Sequence, residues 1–435
     1  MGVRRNAQSD VKKIVNVAKK PLQNIRNIAV TKLLRAMNPT EIEKATSIFK
    51  EKLTQWAANQ AKEINAYEYE KSYVEAMQSI EKKVLQIIAG TKNKSRNSKK
   101  KVQTSVGYIE VCKRPVLSKT PGNFRISSYT QELMCYMGQQ KVFSEASEIL
   151  EVTKGIDISA KQIENVVHHY GGILEEQIKA KIKQECHHYS EEEKVSPHYV
   201  MADGAMYLTR EEKWKEAKLG RIFSANNHIE KISKNRGLIC QSQYVAHLGN
   251  HKEFLGKLEY YLEPLKHLVI LADGAKWIWN WADLFYENAV QILDFFHAKE
   301  HLCEFALAYF ADEQQTSKWI EEMTELLSDD KVENLISTLK QLPLSIKISA
   351  NDKKEQLINY YETNKKRMYY KTFREKGYLI GSGPIEAAHR NVMQQRLKLS
   401  GQRWTLEGFQ QVTNLRVAHK CNNWQNVVDI INKAA

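Results

Sequence analysis

One four-residue phrase occurs twice in this chain, and each copy follows a short apolar run. Ala-Asp-Gly-Ala spans residues 202–205 after Tyr199-Val-Met, and it spans residues 272–275 after Leu268-Val-Ile-Leu. Runs of this length that end at a glycine are typical of buried strands. Asp203 and Asp273 are therefore predicted at the ends of two buried strands, where glycine lets the backbone turn or a ligand approach.

A carboxylate at a buried strand end needs a partner, because an unpaired buried charge is strongly destabilising. A divalent cation is one such partner, and hard oxygen ligands suit Mg²⁺ or Mn²⁺. The simpler interpretation is that each Asp-Gly pair forms a turn after its strand. Two nearly identical copies in one sheet favour the metal site.

A third carboxylate follows a loop-forming segment, Gly381-Ser-Gly-Pro-Ile-Glu386, in which the proline predicts a helix start. A glutamate in a first turn also complements the helix dipole, which is the alternative explanation. From Lys365 to Arg403 the chain carries ten Lys or Arg and only two acids, Glu375 and Glu386. An isolated acid in so basic a stretch indicates a metal ligand beside a phosphate-binding surface. The candidate phosphate contacts after the glutamate are Arg390, Arg396, Lys398 and Arg403.

The chain before the first aspartate is predicted to be mainly helical. Asn38-Pro39-Thr40-Glu41 predicts a helix start, and helical spacing continues towards Ile88. Six Lys or Arg without an acid between Lys92 and Lys101 indicate a linker, either a solvated tether or a phosphate contact. A short strand is predicted to begin at Gly107.

Residues 144–171 carry a helix–turn–helix pattern with Gly155 in the turn. Ser159 suits the N-cap of the second helix and Gln162 its N3 position. Lys161 and Gln162 are the candidate DNA contacts on this helix. Any antiparallel helix pair would give a similar pattern.

Between residues 199 and 294 the order is three strands, helix, strand, helix, strand, which predicts an α+β fold with a mixed sheet of five strands. Asp203, Asp273 and Glu386 on this framework resemble the DDE transposases of the ribonuclease H-like fold. Asp294-Phe-Phe-His297 resembles the D-x-x-H signature that such enzymes carry after the fifth strand. Phrases such as Arg396-Leu-Lys-Leu-Ser-Gly-Gln-Arg-Trp404 look like bacterial Kra-type insertion-sequence transposases, and the similarity covers residues 100–425.

The resemblance implies a transposase that cleaves and joins DNA at the terminal inverted repeats of an insertion sequence. Asp203, Asp273 and Glu386 would be catalytic and hold two Mg²⁺ or Mn²⁺ ions. Asp294 and His297 would either assist strand separation and leaving-group handling or form a structural hydrogen bond. Trp277 follows Asp273 closely and is a candidate to stack on an unpaired base, with a place in the core as the alternative.

The implied layout has three parts. Residues 1–101 form a helical region and basic linker, and residues 102–195 form a small β element and the helix–turn–helix. Residues 196–425 form a ribonuclease H-like catalytic domain with a helical insertion at residues 300–375. The expected partners are double-stranded DNA, both element ends and target, and further copies of the chain in a synaptic dimer or larger assembly.

Composition agrees with a polyanionic partner, because the formal net charge is +14. No run of about 18 uncharged apolar residues is present, so we expect no membrane span. Six dispersed cysteines fit a reducing cytoplasm, with the protein expected at the bacterial nucleoid. The rival interpretations are a nuclease or resolvase of the same fold without strand transfer, a transposase-derived DNA-binding protein without catalysis, and an unrelated two-metal phosphatase. The second requires a missing carboxylate, and the third leaves the basic stretch unexplained.

Overall fold

The computed structural model describes residues 39–59, 65–89, 99–112, 120–226, 229–233 and 236–433. The predictions for the first 35 residues, for Asn38 as a helix cap and for a linker over residues 92–98 lie outside the described residues. The chain divides into two compact units, of which the first comprises Met1–Gln131, Ser147–Ser159 and the last two residues. The second comprises Glu132–Ala146 and Ala160–Lys433.

The first unit includes two complete α-helices and a β-hairpin: α1 Pro39–Ala58, α2 Ala66–Ile88, β1 Lys99–Thr104 and β2 Gly107–Cys112. The helical pattern up to Ile88 is thus two helices, and the Asn65 side chain caps the second by accepting from Glu68 N at 2.9 Å. The strand predicted at Gly107 is present and pairs antiparallel with β1. The end of the predicted basic linker is a strand, because Val102 faces Ile109 in a buried cluster.

The second unit is built on a five-stranded sheet in the spatial order β7-β4-β3-β8-β9. Its strands are β3 His198–Leu208, β4 Trp214–Ser224, β7 Gln243–Leu248, β8 Leu268–Ala272 and β9 Val290–Leu293. Strand β4 is antiparallel to both β3 and β7, whereas β8 is parallel to both β3 and β9. The α+β class with a mixed five-stranded sheet is therefore confirmed. A separate hairpin, β5 Ile229–Ser233 and β6 Arg236–Ile239, lies in the chain between β4 and β7.

The helices from residue 128 to the end of the sheet are α3 Ser128–Gly138, α4 Phe143–Lys154, α5 Ala160–Gln184, α6 Glu191–Val195, α7 His251–Leu262 and α8 Lys276–Phe285. After the sheet follow α9 Phe295–Tyr309, α10 Glu313–Ser328, α11 Val332–Gln341, α12 Ile348–Asn364, α13 Tyr370–Glu375, α14 Gly383–Ala388, α15 Gln395–Leu397, α16 Leu406–Lys420 and α17 Trp424–Lys433. Within the described part of the chain, no helix is long and apolar enough to cross a bilayer.

Two helical layers position the sheet. Helix α16 packs against α5 and β7, and the backbones approach closely, since a Cβ on Gly171 would lie 2.2 Å from Gln411 O. Helix α5 is one continuous helix from Ala160 to Gln184. Helices α9 to α13 occupy the chain between β9 and Glu386, which is where the sequence predicted a helical insertion.

Candidate active site

Asp203 and Asp273 occupy equivalent positions on neighbouring parallel strands. The last pair between β3 and β8 is Met201 with Leu271. Asp203 lies two positions after Met201, and Asp273 lies two positions after Leu271. Because strand side chains alternate, the two carboxylates belong on the same face of the sheet. The register therefore brings together two residues that are 70 positions apart in the chain.

The strand-end prediction is correct for Asp273 and wrong for Asp203. Asp203 pairs with Leu219, and Gly204 pairs with Lys218, inside the long β3–β4 ladder. Strand β3 continues to Leu208 because β4 supports it beyond the point where β8 ends. The Asp203-Gly204 pair consequently forms no turn.

The Asp203 carboxylate is half-buried, with 33% of its side chain exposed. One oxygen accepts a hydrogen bond from Gly204 N at 2.7 Å, and the other lies 3.5 Å from His389 Nε2. Burial raises the pKa of Asp203, and the negative charges of Asp273 and Glu386 raise it further against the opposing effect of His389. Both of the other carboxylates predicted from the sequence are thus close enough to Asp203 to affect its charge.

Glu386 lies on α14, whose start is anchored to two other elements. Arg221 on β4 donates to Pro384 O at 2.7 Å, and Ser382 N donates to the Asp294 carboxylate. The Ser382 hydroxyl lies 3.4 Å from Glu386 Oε1. The glutamate side chain is exposed, so its carboxylate remains accessible while its helix is held in place.

Asp294 is buried and connects the segments that carry the other acids. Its carboxylate accepts from His297 N at 2.7 Å as the N-cap of α9, and also from Ser382 N. Its own N–H donates to Ala272 O at 2.8 Å, next to Asp273. The structural hydrogen bond considered for Asp294 and His297 is therefore present, through the His297 backbone.

Three aromatic side chains near the carboxylates were not singled out from the sequence. His389 is buried, and burial lowers its pKa while the Asp203 charge opposes that shift. Its position three residues after Glu386 could have indicated it, since such residues share a helix face. The π-helix His389–Gln394 begins at this residue.

The other two are His301 and Tyr360, whose rings lie 4.7 Å apart. Burial, then the neighbouring His297, lower the pKa of His301, and the charge of Asp273 acts in the opposite direction. A Cβ on Gly274 would lie 2.4 Å from Tyr360 Cε2, so the tyrosine ring packs directly on the backbone after Asp273. His301 follows His297 by one helical turn, which is the sequence signal that could have indicated it.

The candidate DNA contacts have different environments. Arg390, Lys398 and Arg403 are exposed, whereas Arg396 is 1% exposed. The expectation of Arg396 on an open surface is wrong because its guanidinium lies between the rings of Phe143 and Trp404. Lys161 is exposed and pairs with Glu164 at 2.8 Å, and Gln162 is half-buried. Trp277 is half-buried against Phe254, with ring centroids 5.7 Å apart.

The donor set of the three acids suits a hard divalent cation. In the described residues, no three His, Cys, Asp or Glu side chains lie close enough together to hold a metal ion as they stand. Burial, together with the charges of Asp273 and Glu386, raises the pKa of Asp203, and a bound cation would oppose that shift. The residue types match those that bind Mg²⁺ or Mn²⁺.

Comparison with known proteins places the chain by family. No curated protein matches it. A family model with the description "Uncharacterised protein family (UPF0236)" matches residues 128–433. The matched part contains the five-stranded sheet and all three carboxylates. Since this match covers more than two thirds of the chain, the chain belongs to the UPF0236 family.

Proposed function

We propose that this protein is a DDE-type DNA transposase with a ribonuclease H-like catalytic domain. It would cleave DNA at the terminal inverted repeats of an insertion sequence and transfer the strands to target DNA. The observation that carries the proposal is the parallel register that aligns Asp203 with Asp273 on one sheet, and the charges of Asp273 and Glu386 add to the effect of burial on the pKa of Asp203. The mixed five-stranded sheet is the type that the resemblance implies.

Each residue has a role that follows from its contacts. Asp203, Asp273 and Glu386 would hold Mg²⁺ or Mn²⁺, which supplies charge stabilisation and activates an oxygen nucleophile when bound. His389 keeps the Asp203 side chain in place through contacts to its backbone and carboxylate oxygens. Asp294 fixes the segment before Glu386 relative to β8, so it is a positioning residue.

The proposed partners are double-stranded DNA and further copies of the chain. The net charge of +14 favours binding to a polyanion, and Arg390, Lys398 and Arg403 are exposed cations on the segment that follows Glu386. We expect DNA affinity to fall steeply with salt, as it does when many phosphates are contacted. A nucleoid location in the bacterial cytoplasm follows from this partner.

The test uses the full chain and DNA carrying the inverted repeats that flank its reading frame. Asp203→Asn, Asp273→Asn and Glu386→Gln should each abolish Mg²⁺-dependent cleavage while retaining binding of the ends. Glu375→Gln is the matched control, because Glu375 is an exposed acid in the same basic stretch. Full activity of any of the three variants removes that residue from the site.

Further outcomes separate the proposal from its rivals. Joined products that contain target DNA support a transposase, whereas hydrolysis without joining supports a nuclease or resolvase of the same fold. Cleavage that persists in excess chelator contradicts the metal-dependent mechanism. Binding of the ends without any cleavage supports a non-catalytic DNA-binding protein.

A further inference from the structure

A second feature of the same unit is the buried cation of Arg396. Its guanidinium carbon lies 4.9 Å from the ring centroids of both Phe143 and Trp404. Its Nε donates to Gly138 O at 3.1 Å, but its buried Nη1 has no hydrogen-bond partner. Burial and the nearby Arg416 lower its pKa to about 9, so it is charged at neutral pH. Among the described residues it forms no ion pair.

Arg416 shows that the surrounding fold can satisfy a buried guanidinium. It is 3% exposed, and its nitrogens donate to Val392 O, to Gln139 O at 2.6 Å and to Asn391 O at 2.8 Å. A buried donor without an acceptor costs about 1–3 kcal/mol, and more when it is charged. Because the fold satisfies Arg416 but leaves Arg396 Nη1 without an acceptor, this nitrogen indicates a position for an acceptor atom of a bound ligand.

The open arginine lines a cavity of about 250 Å³ that is rich in cations. Lys161, Arg210 and Arg403 also line it, together with His168, whose Nε2 is buried without a partner. The acid in the lining is Glu164, which is already paired with Lys161. The cavity therefore presents net positive charge and two buried polar atoms without partners.

The amino end of α16 borders the same cavity. Thr405 lines the cavity and is the N-cap of this 15-residue helix, accepting from Gly408 N at 3.1 Å. The Leu406 N–H at this helix end already donates to Glu211 Oε2 at 3.2 Å. The groups open to a ligand are therefore the guanidinium of Arg396 and the imidazole of His168.

We propose that this cavity binds a phosphate group. Three or four acceptor oxygens would satisfy Arg396 Nη1 and the imidazole, and the negative charge would pair with the buried cation. Arg210 and Arg403 are exposed and form the rim.

The phosphate could be free or part of DNA, and its assignment to DNA rests on the function proposed above. The segment around Trp404 bridges to Thr209 at the end of β3, six residues beyond Asp203. At about 3.3 Å per strand residue the cavity lies on the order of 20 Å from that carboxylate. The cavity would bind a DNA backbone phosphate at a distance from the cleavage site and so fix the position of the bound strand.

The experiment measures binding of inorganic phosphate to the full chain by calorimetry and thermal shift, in chelator and at constant ionic strength. We expect phosphate to raise the melting temperature of the wild type. Arg396→Met should weaken phosphate binding at least tenfold, and Arg210→Gln/Arg403→Gln should weaken it several-fold without disturbing the interior. Lys318→Gln, which removes an exposed lysine on α10, is the matched control and should bind normally.

Failure of this inference is distinguishable from failure of the proposed function. Asp203→Asn should leave phosphate binding intact, because the cavity does not contain that residue. The proposal is overturned if the wild type does not bind phosphate. It is also overturned if the rim variant, Arg210→Gln/Arg403→Gln, binds phosphate as tightly as the wild type. A short DNA duplex that competes with phosphate in the wild type assigns the site to DNA, and lack of competition assigns it to a free phosphate compound. If Arg396→Met does not fold, the rim variant decides the outcome.

Discussion

Replacing Gly274 by alanine tests whether close packing of Tyr360 positions Asp273. The new Cβ would lie 2.4 Å from Tyr360 Cε2, about 1 Å short of the 3.4 Å at which ordinary contact begins. The ring packs against His301 with centroids 4.7 Å apart, and its hydroxyl is buried. We expect the backbone after Asp273 to move by about the missing distance.

This movement has two measurable consequences. Overpacking of a well-packed site costs about 1–3 kcal/mol of the free energy of unfolding, which denaturant titration measures. A displacement of about 1 Å at a reacting group costs about a hundredfold in rate, so Mg²⁺-dependent cleavage by Gly274→Ala should fall by that order.

The equivalent glycine after Asp203 provides the control. A Cβ on Gly204 would meet the tip of the Glu216 side chain at 2.0 Å, but this side chain is 42% exposed and can rotate away. Gly204→Ala should cost less stability than Gly274→Ala, because the buried Lys218 keeps its hydrogen bond to Gly249 O at 2.8 Å when Glu216 rotates away. Equal losses of stability and cleavage in the two glycine variants would refute the reasoning. Replacing Tyr360 by leucine in the Gly274→Ala variant should restore part of the stability, because it removes the obstructing ring.

Three further predictions concern charge and stacking. The pKa of Asp203 is raised in the folded state, so its contribution to stability is present at low pH and is lost as pH rises through that pKa. Without metal, the Asp203→Asn variant should therefore unfold at a higher denaturant concentration than the wild type at pH 7. This difference should disappear in acid. Cleavage should fall on acidification at a higher pH than an ordinary aspartate gives, and more Mg²⁺ should shift that limb downward. Arg367 is buried and makes two 2.7 Å contacts with Asp283. Arg367→Met should therefore lower the free energy of unfolding by about 2 kcal/mol in denaturant titration. Lys340→Met, which breaks an exposed pair, should lower it by less than about 1 kcal/mol. Trp277→Ala should slow cleavage at fully paired ends more than at ends with an unpaired base; equal slowing at both kinds of end would contradict base stacking.

Local pattern predicted the architecture of the second unit well. The uninterrupted apolar run of β8 is buried at every residue, and the order of strands and helices predicted a mixed sheet. What local pattern could not give was the length of a partner strand. The Asp-Gly pairs at residues 203 and 273 look alike in sequence, but β4 stays paired with the chain past the first, whereas the pairing of β8 with β3 and β9 ends before the second.

The environments of individual cations were also beyond local pattern. Arg367 and Arg396 read as part of a basic surface, yet both are buried. Arg367 pairs with Asp283, which lies 84 positions away, and Arg396 stacks on Phe143. Such contacts depend on which elements pack together, and the spacing of charges along the chain contains no information about that.

The two proposed sites carry unbalanced charges of opposite sign, and one ligand would balance both. At one site burial and two nearby carboxylates raise the pKa of Asp203; at the other a buried guanidinium forms no ion pair among the described residues. A fold that served stability alone would gain by neutralising each, since buried unpaired charges are costly. A phosphodiester strand accompanied by divalent cations supplies a cation to the first site and a phosphate to the second. Binding of such DNA should therefore stabilise the protein more than the metal and the phosphate do when added separately, because the linked groups bind with a high effective concentration. Thermal shifts of equal size for duplex DNA with Mg²⁺ and for the two small ions together would argue against a single DNA path through both sites.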